Sequence, residues 1–148
     1  MKKASIFIAA TVMFLSLNAN ANKMGKTEAC PQLDKIVEIG TGVYRASGND
    51  GEWLGIIQNV LPDNNKIESF NSASILQEND TSPMKFQHCA YNLQRGSQLQ
   101  MRFIHNKIPS YTVNTIVNEW KKDSGPFGLI ETICTSPQPE KCEFSILK

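Results

Sequence analysis

Apolar and polar residues alternate along much of this chain with a period of two, the spacing of a strand buried on one face. The clearest case spans residues 84–105. Cys89, Tyr91 and Leu93 alternate with polar or small residues, and Leu99, Met101 and Phe103 alternate with Gln98, Gln100 and Arg102. Parity then constrains the turn. A two-residue Arg95-Gly96 turn would set odd positions against even ones, putting Cys89 and Tyr91 on the face of Gln100 and Arg102. A three-residue loop, Gln94-Arg95-Gly96, avoids this and places Gly96 where such hairpins need a left-handed residue. The reading predicts Tyr91 opposite Leu99 and Cys89 opposite Met101. A slip of one residue would turn the whole apolar set outward, so the register is well specified.

Shorter β-prone runs flank this hairpin. Residues 43–46 and 52–61 are separated by Ser47-Gly48-Asn49-Asp50-Gly51, a hairpin loop, and Pro62-Asp63-Asn64-Asn65 forms the next turn. In 67–76 the inward candidates are Phe70, Ala73 and Ile75. The odd step from Phe70 to Ala73 calls for a β-bulge near Asn71-Ser72 or a single helical turn. Residues 78–83 are a third loop. Beyond Pro109, 111–117 reads as a strand, 118–122 as its extension or a helical turn, and Asp123-Ser124-Gly125-Pro126 as a break. Residues 129–135 and 142–147 are strand-like around a loop at 136–141. Outside the N-terminal region no segment has the sustained 3.6-residue period of a long helix. The chain is therefore expected to be all-β, with about seven or eight antiparallel strands closed as a small barrel or packed as a sandwich.

The N-terminus departs from this pattern. Lys2 and Lys3 precede an uncharged, mostly apolar run from Ala4 to Leu17, and Ala19-Asn20-Ala21 supplies small residues at a signal-peptidase site. The run is shorter than the roughly 20 residues that span a bilayer. The expected organisation is a cleaved signal peptide at 1–21, a loose polar lead at 22–29 and a single domain at 30–148. The destination is the periplasm or the extracellular medium, with no membrane association after cleavage. The formal net charge is +1 over 148 residues, which gives no electrostatic case for nucleic acid or an anionic membrane. The local basic pair Lys121-Lys122 beside Trp120 reads as a solvated turn.

Export changes the meaning of the cysteines. Cys30, Cys89, Cys134 and Cys142 are expected to be oxidised, and four cysteines allow three pairings. Cys134 and Cys142 flank one loop and are paired, which leaves Cys30 with Cys89. A nucleophilic His88-Cys89 dyad is disfavoured because adjacent strand residues point to opposite faces. The spacings lack the close Cys and His pairs of a zinc site, and His88 and His105 are read as solvated imidazoles on the polar face of the hairpin. No cofactor or metal is expected. The acids Glu38, Asp50, Glu52, Asp80 and Glu131 are read as solvated, with no two preferred as a catalytic pair. Asn79-Asp80-Thr81 has the form of a glycosylation acceptor. Trp53 and Trp120 are assigned to the core, a ligand groove being the alternative.

Several short motifs occur in a fixed order: Cys30-Pro31, Gly42-Val43-Tyr44-Arg45-Ala46, Gly51-Glu52-Trp53-Leu54-Gly55, Phe70-Asn71-Ser72-Ala73, Cys89-Ala90-Tyr91, Trp120, Gly125-Pro126-Phe127-Gly128, Cys134 and Cys142-Glu143-Phe144. In this order they resemble the small exported bacterial proteins grouped as domain of unknown function 3757. The resemblance spans nearly the whole mature chain. It implies a one-domain secreted or periplasmic protein, and no activity or catalytic residue.

A cross-linked β scaffold with exposed loops and no catalytic motif predicts a non-enzymatic binding protein, a monomer, for a protein or small ligand. Loops on rigid scaffolds commonly carry recognition. The candidate residues are Ser47, Asn49 and Asp50 in the first loop, Asp80 in the 78–83 loop, and Gln138 and Glu140 in the 136–141 loop. A sharper form is an inhibitor of an extracellular hydrolase such as a lysozyme or protease, whose rigid loop loses little entropy on docking. The remaining alternative is a small secreted hydrolase without a recognisable motif.

Overall fold

The computed structural model describes residues 26–57 and 66–147. Among them are eleven strands: β1 (Thr27–Ala29), β2 (Val37–Gly40), β3 (Val43–Ser47), β4 (Gly51–Ile56), β5 (Ile67–Gln77), β6 (Lys85–Leu93), β7 (Gln98–His105), β8 (Thr112–Thr115), β9 (Trp120–Ser124), β10 (Ile130–Cys134) and β11 (Glu143–Leu147). Eight form one sheet in the order β2-β3-β4-β7-β6-β5-β10-β9, and three form a second in the order β1-β11-β8. Every pairing is antiparallel. The all-β expectation holds, and of its two forms the chain adopts packed sheets: β2 and β9 remain edges, so the large sheet does not close into a barrel.

The strand count exceeds the expected seven or eight at three places, β1, β2 and β9, the last a separate strand of the large sheet where an extension of 111–117 or a helical turn was expected. β1 lies inside the stretch expected to be a loose lead, and its buried centre is a carboxylate, Glu28. β2 is exposed at all four positions. The break expected at Asp123 comes later. Pairing with β10 carries β9 through Asp123 and Ser124, and the chain turns at Gly125. The expected signal segment, the 58–61 end of the predicted 52–61 strand and the turn at 62–65 lie outside the described residues.

The central hairpin has the expected register, with Cys89 opposite Met101 and Tyr91 opposite Leu99. Gly96 sits at φ 78°, and the Leu93 N–H donates to the Ser97 carbonyl at 2.9 Å to close the three-residue loop. The odd step in β5 is a bulge. Phe70 opposes Tyr91 while Ser72 opposes Ala90, so Asn71 is the extra residue. Two further register shifts, at Ile67/Ser69 and Ser74/Ile75, bend the β5–β6 pair more strongly.

One row of cross-strand neighbours runs through the core: Trp120, Cys134, Ala73, Cys89, Met101, Gly55 and Tyr44. All seven are buried. Gly55 is required in this row, because a Cβ there would stand 2.6 Å from Leu99 Cδ1. Against the row lies the three-stranded sheet. Phe144 of β11 stacks on Phe86 of β6 at 4.3 Å between centroids, and Trp53 packs edge-on against both. Trp53 and Trp120 are core residues, as expected.

The disulfides are Cys30–Cys89 and Cys134–Cys142, the pairing predicted. Both join the two sheets: Cys30 and Cys142 flank the Ala29↔Glu143 pair of β1 and β11, while Cys89 and Cys134 belong to the large sheet. Each bridge has an aromatic hydrogen bond beside it. The Tyr91 hydroxyl donates to the Pro31 carbonyl at 2.6 Å, and the Trp120 indole N–H donates to the Glu143 carbonyl at 2.8 Å.

Candidate functional site

Strand pairing sorts the loops between the two ends of the large sheet. The β3–β4 turn, the β5–β6 loop and the β9–β10 loop open at the same end, as the pairs Gly51↔His105, Leu76↔Lys85, Gln77↔Ile130 and Ile130↔Ser124 require. The chain leaves β10 at Cys134 in the opposite direction, so the loop with Gln138 and Glu140 serves the other end. The structure thus gathers Ser47, Asn49, Asp50 and Asp80 at one end and sets Gln138 and Glu140 apart.

The β3–β4 turn is tied to the body. Asn49 Nδ2 donates to the Thr27 carbonyl at 2.7 Å, and the Asp50 N–H donates to Glu28 Oε1 at 2.7 Å. Asp50 also receives Lys26 Nζ at 3.2 Å and faces His105 Nε2 at 3.3 Å. Burial raises the Glu28 carboxyl above its ordinary pKa, against the lowering by the backbone N–H groups of Asp50 and Asn49. The hydrogen bond from Lys26 lowers that of Asp50. Nearby, burial and the Glu28 charge push the Tyr111 phenol up to about 12. His105 corrects the sequence reading. It shares the parity of Met101 and Phe103, its side chain is 5% exposed, and its Nδ1 accepts the N–H groups of Lys107 and Ile108 at 3.0 and 3.2 Å. The turn is a latch on β1, held through Asn49 and Asp50.

The outer face of the large sheet carries a second polar cluster. Ser74 Oγ donates to Glu131 Oε1 at 2.5 Å, and His88 stands opposite Ser74 across the ladder. Burial, with Arg102 nearby, lowers the His88 pKa. His88 is half-buried rather than freely solvated. The serine proton is directed to a carboxylate rather than to the imidazole, which is not the relay of a serine nucleophile. Among the described residues no group of three or more His, Cys, Asp or Glu side chains is placed to hold a metal ion.

The β5–β6 loop is rigidified locally. Asn79 Oδ1 accepts from the Thr81 N–H, the Thr81 hydroxyl and the Ser82 N–H at 3.0, 2.8 and 3.0 Å. Asp80 pairs with Lys122. Two concavities flank the loop. A cleft of about 350 Å³ is lined by Leu76, Glu78, Pro83, Lys85, Gln87 and Leu129. A second, of about 580 Å³, opens at the end of the two sheets among Gln77, Asp80, Thr112, Val113, Lys122 and Leu147.

The most exposed large hydrophobic residue lies in the loop that leads into Leu129 of the first cleft. Phe127, at the apex of the β9–β10 loop, is 101% exposed. Its backbone lies in the left-handed region at φ 57°, ψ 28°, which a bulky L-residue rarely adopts. Gly128 follows at φ 78°. The Gly125 N–H donates to the Leu129 carbonyl at 2.8 Å, and the Leu129 N–H to the Pro126 carbonyl at 3.1 Å. A braced loop thus holds an unburied benzyl group two residues from Leu129, which lines the cleft. Sequence reasoning missed Phe127 as a site residue, although its Gly-Pro-Phe-Gly setting was visible. It also missed Glu28.

No curated protein and no solved structure matches the chain. The two disulfides fit an exported protein. The family model described as "Protein of unknown function (DUF3757)" matches residues 24–145, most of the chain, and the protein belongs to that family.

Proposed function

We propose that this protein is an exported, non-enzymatic binding protein, acting in the periplasm or extracellular medium after signal cleavage, and that the β9–β10 loop is its recognition element. The observation that carries the reading is Phe127: fully exposed, in a left-handed conformation, on a braced loop. An exposed aromatic contributes nothing to the core, and its backbone strain works against stability. Buried aromatic anchors dominate binding energy at protein interfaces, and a preformed loop loses little entropy on docking.

A projecting, preorganised loop also favours the more specific reading of an inhibitor that inserts into the cleft of an extracellular hydrolase. The test is affinity capture from culture medium and host extract, with the oxidised wild-type chain and Phe127→Ala in parallel. A protein retained by the wild type and lost by the variant supports recognition through this loop, and a hydrolase among such proteins supports inhibition. Equal retention by both chains overturns the assignment to Phe127.

A further inference from the structure

The loop that carries Phe127 leads into Leu129, which joins Leu76 and Pro83 in the apolar wall of a recess. The cleft lined by Leu76, Pro83 and Leu129 has about 350 Å³, room for a benzyl group. Knob and recess on one surface are what an isologous pair needs, because each copy then supplies both halves of the contact. The charges around them are ordered in the same way. On the outer face of the large sheet, Asp123, Glu131, Leu76 and Lys85 form one cross-strand row. The acids lie on the side of the Phe127 loop, and the base lies beyond Leu76 at the far wall of the cleft. Arg102 and His88 add positive or proton-accepting groups on that far side, Lys121 is a cation on the acidic side, and Glu78 is a carboxylate at the cleft itself. A twofold axis running along the strands between Glu131 and Leu76 reverses the row. It brings Asp123 of one copy opposite Lys85 of the other, with Glu131 one strand nearer the axis, and carries the Phe127 loop of each copy to the side of the other's cleft.

Resting on the reading of the Phe127 loop as a recognition element, we propose that a partner of this loop is a second copy of the chain, bound through reciprocal insertion of Phe127 into the Leu76–Leu129 cleft. This departs from the monomer expected from the sequence. The interface is built from exposed and half-buried residues already in place, so dimerisation requires no refolding of either copy.

Sedimentation velocity over a concentration series tests it, using the oxidised chain. The wild type shows a monomer–dimer equilibrium, and Phe127→Ala weakens self-association by about a hundredfold or more, the loss of two buried aromatic anchors per dimer. Lys85→Glu alone and Asp123→Lys alone each weaken it by at least roughly tenfold through like-charge contacts. An equimolar mixture of these two variants associates again, because one contact is native and the other is charge-reversed. Both positions are exposed, so the folded state is retained, with circular dichroism as the check. A wild type that stays monomeric up to its solubility limit overturns the proposal, as does undiminished dimerisation of Phe127→Ala or a mixture that fails to associate. If the wild type is monomeric while Phe127→Ala still abolishes capture of a foreign protein, self-association falls and the recognition loop stands.

Discussion

Cys134 and Cys89 stand in one row of the eight-stranded sheet, each directly opposite Ala73 on the strand between them. The two bridges therefore rise side by side from the large sheet, and the fully buried Ala73 methyl faces the space between them. A larger side chain at Ala73 competes with the two bridges for that space. Ala73→Leu is expected to destabilise by about 1–3 kcal/mol through overpacking. The measurement is the urea midpoint at unchanged slope. An unchanged midpoint would mean that the space between the bridges is not filled.

The bridges span different loop lengths, with sequence separations of 59 for Cys30–Cys89 and 8 for Cys134–Cys142. Chain entropy then assigns about 4 kcal/mol to the first and about 2.5 kcal/mol to the second, as upper values. The paired substitution Cys30→Ala with Cys89→Ala should lower the unfolding free energy more than Cys134→Ala with Cys142→Ala. Chemical denaturation of the two double variants decides the order, and the reverse order contradicts the loop-length account.

Where alternation was unbroken, as from Cys89 to Phe103, the sequence specified strand, register and turn together. The pairing of Cys134 with Cys142 followed from loop proximity, and the other bridge from exclusion. Other features depended on contacts between distant positions. Glu28 is one acid in a three-residue strand, and its partners Asn49, Asp50 and His105 become neighbours only when β1 pairs with β11. His105 carried the right signal in its parity, and its polar character misdirected the assignment. Phe127 lies in a turn motif, and whether a turn aromatic folds back or projects depends on the hydrogen bonds that close the loop rather than on composition.

The Glu28–Asp50 latch makes a pH prediction with opposing signs. Burial raises the Glu28 pKa above its ordinary 4.5, so the native state binds this proton more tightly than the unfolded chain. Its stabilising contribution is complete below 4.5 and is lost as pH rises through the raised native value. The lowered Asp50 pKa acts oppositely: its contribution is present above the ordinary 3.8 and is lost as pH falls through the native value. Glu28→Gln keeps an acceptor for the Asp50 N–H and removes the titration. The stability of this variant relative to wild type should therefore rise with pH just above 4.5 and then level off. Urea unfolding across that range is the measurement, and a pH-independent difference would show that the Glu28 pKa is not raised in the native state.

Tyr91 holds the segment beside Cys30 through a buried hydrogen bond to the Pro31 carbonyl. Tyr91→Phe keeps the ring, its edge-on contact with Phe70 and the apolar packing, but leaves the carbonyl without this donor. The expected cost is about 1–3 kcal/mol for the unsatisfied acceptor. Trp120→Phe removes the donor to Glu143 beside the other bridge and also loses packing volume, so its cost should be larger. Thermal and urea unfolding of both variants, with disulfides intact, gives the comparison.

Phe127 separates stability from recognition. Its ring is wholly exposed and its φ of 57° is unfavourable for any residue with a β-carbon. Phe127→Gly removes that strain while adding flexibility to the unfolded chain, terms of similar size and opposite sign, so stability should change by no more than about 1 kcal/mol. Phe127→Ala keeps the strained conformation and should be no more stable than the glycine variant. If the loop serves recognition, both variants should lose partner capture and self-association despite their retained stability. Parallel urea denaturation, capture and sedimentation of the two variants supply the comparison. A fall in stability of several kcal/mol would instead place the Phe127 ring among the residues that hold the fold together.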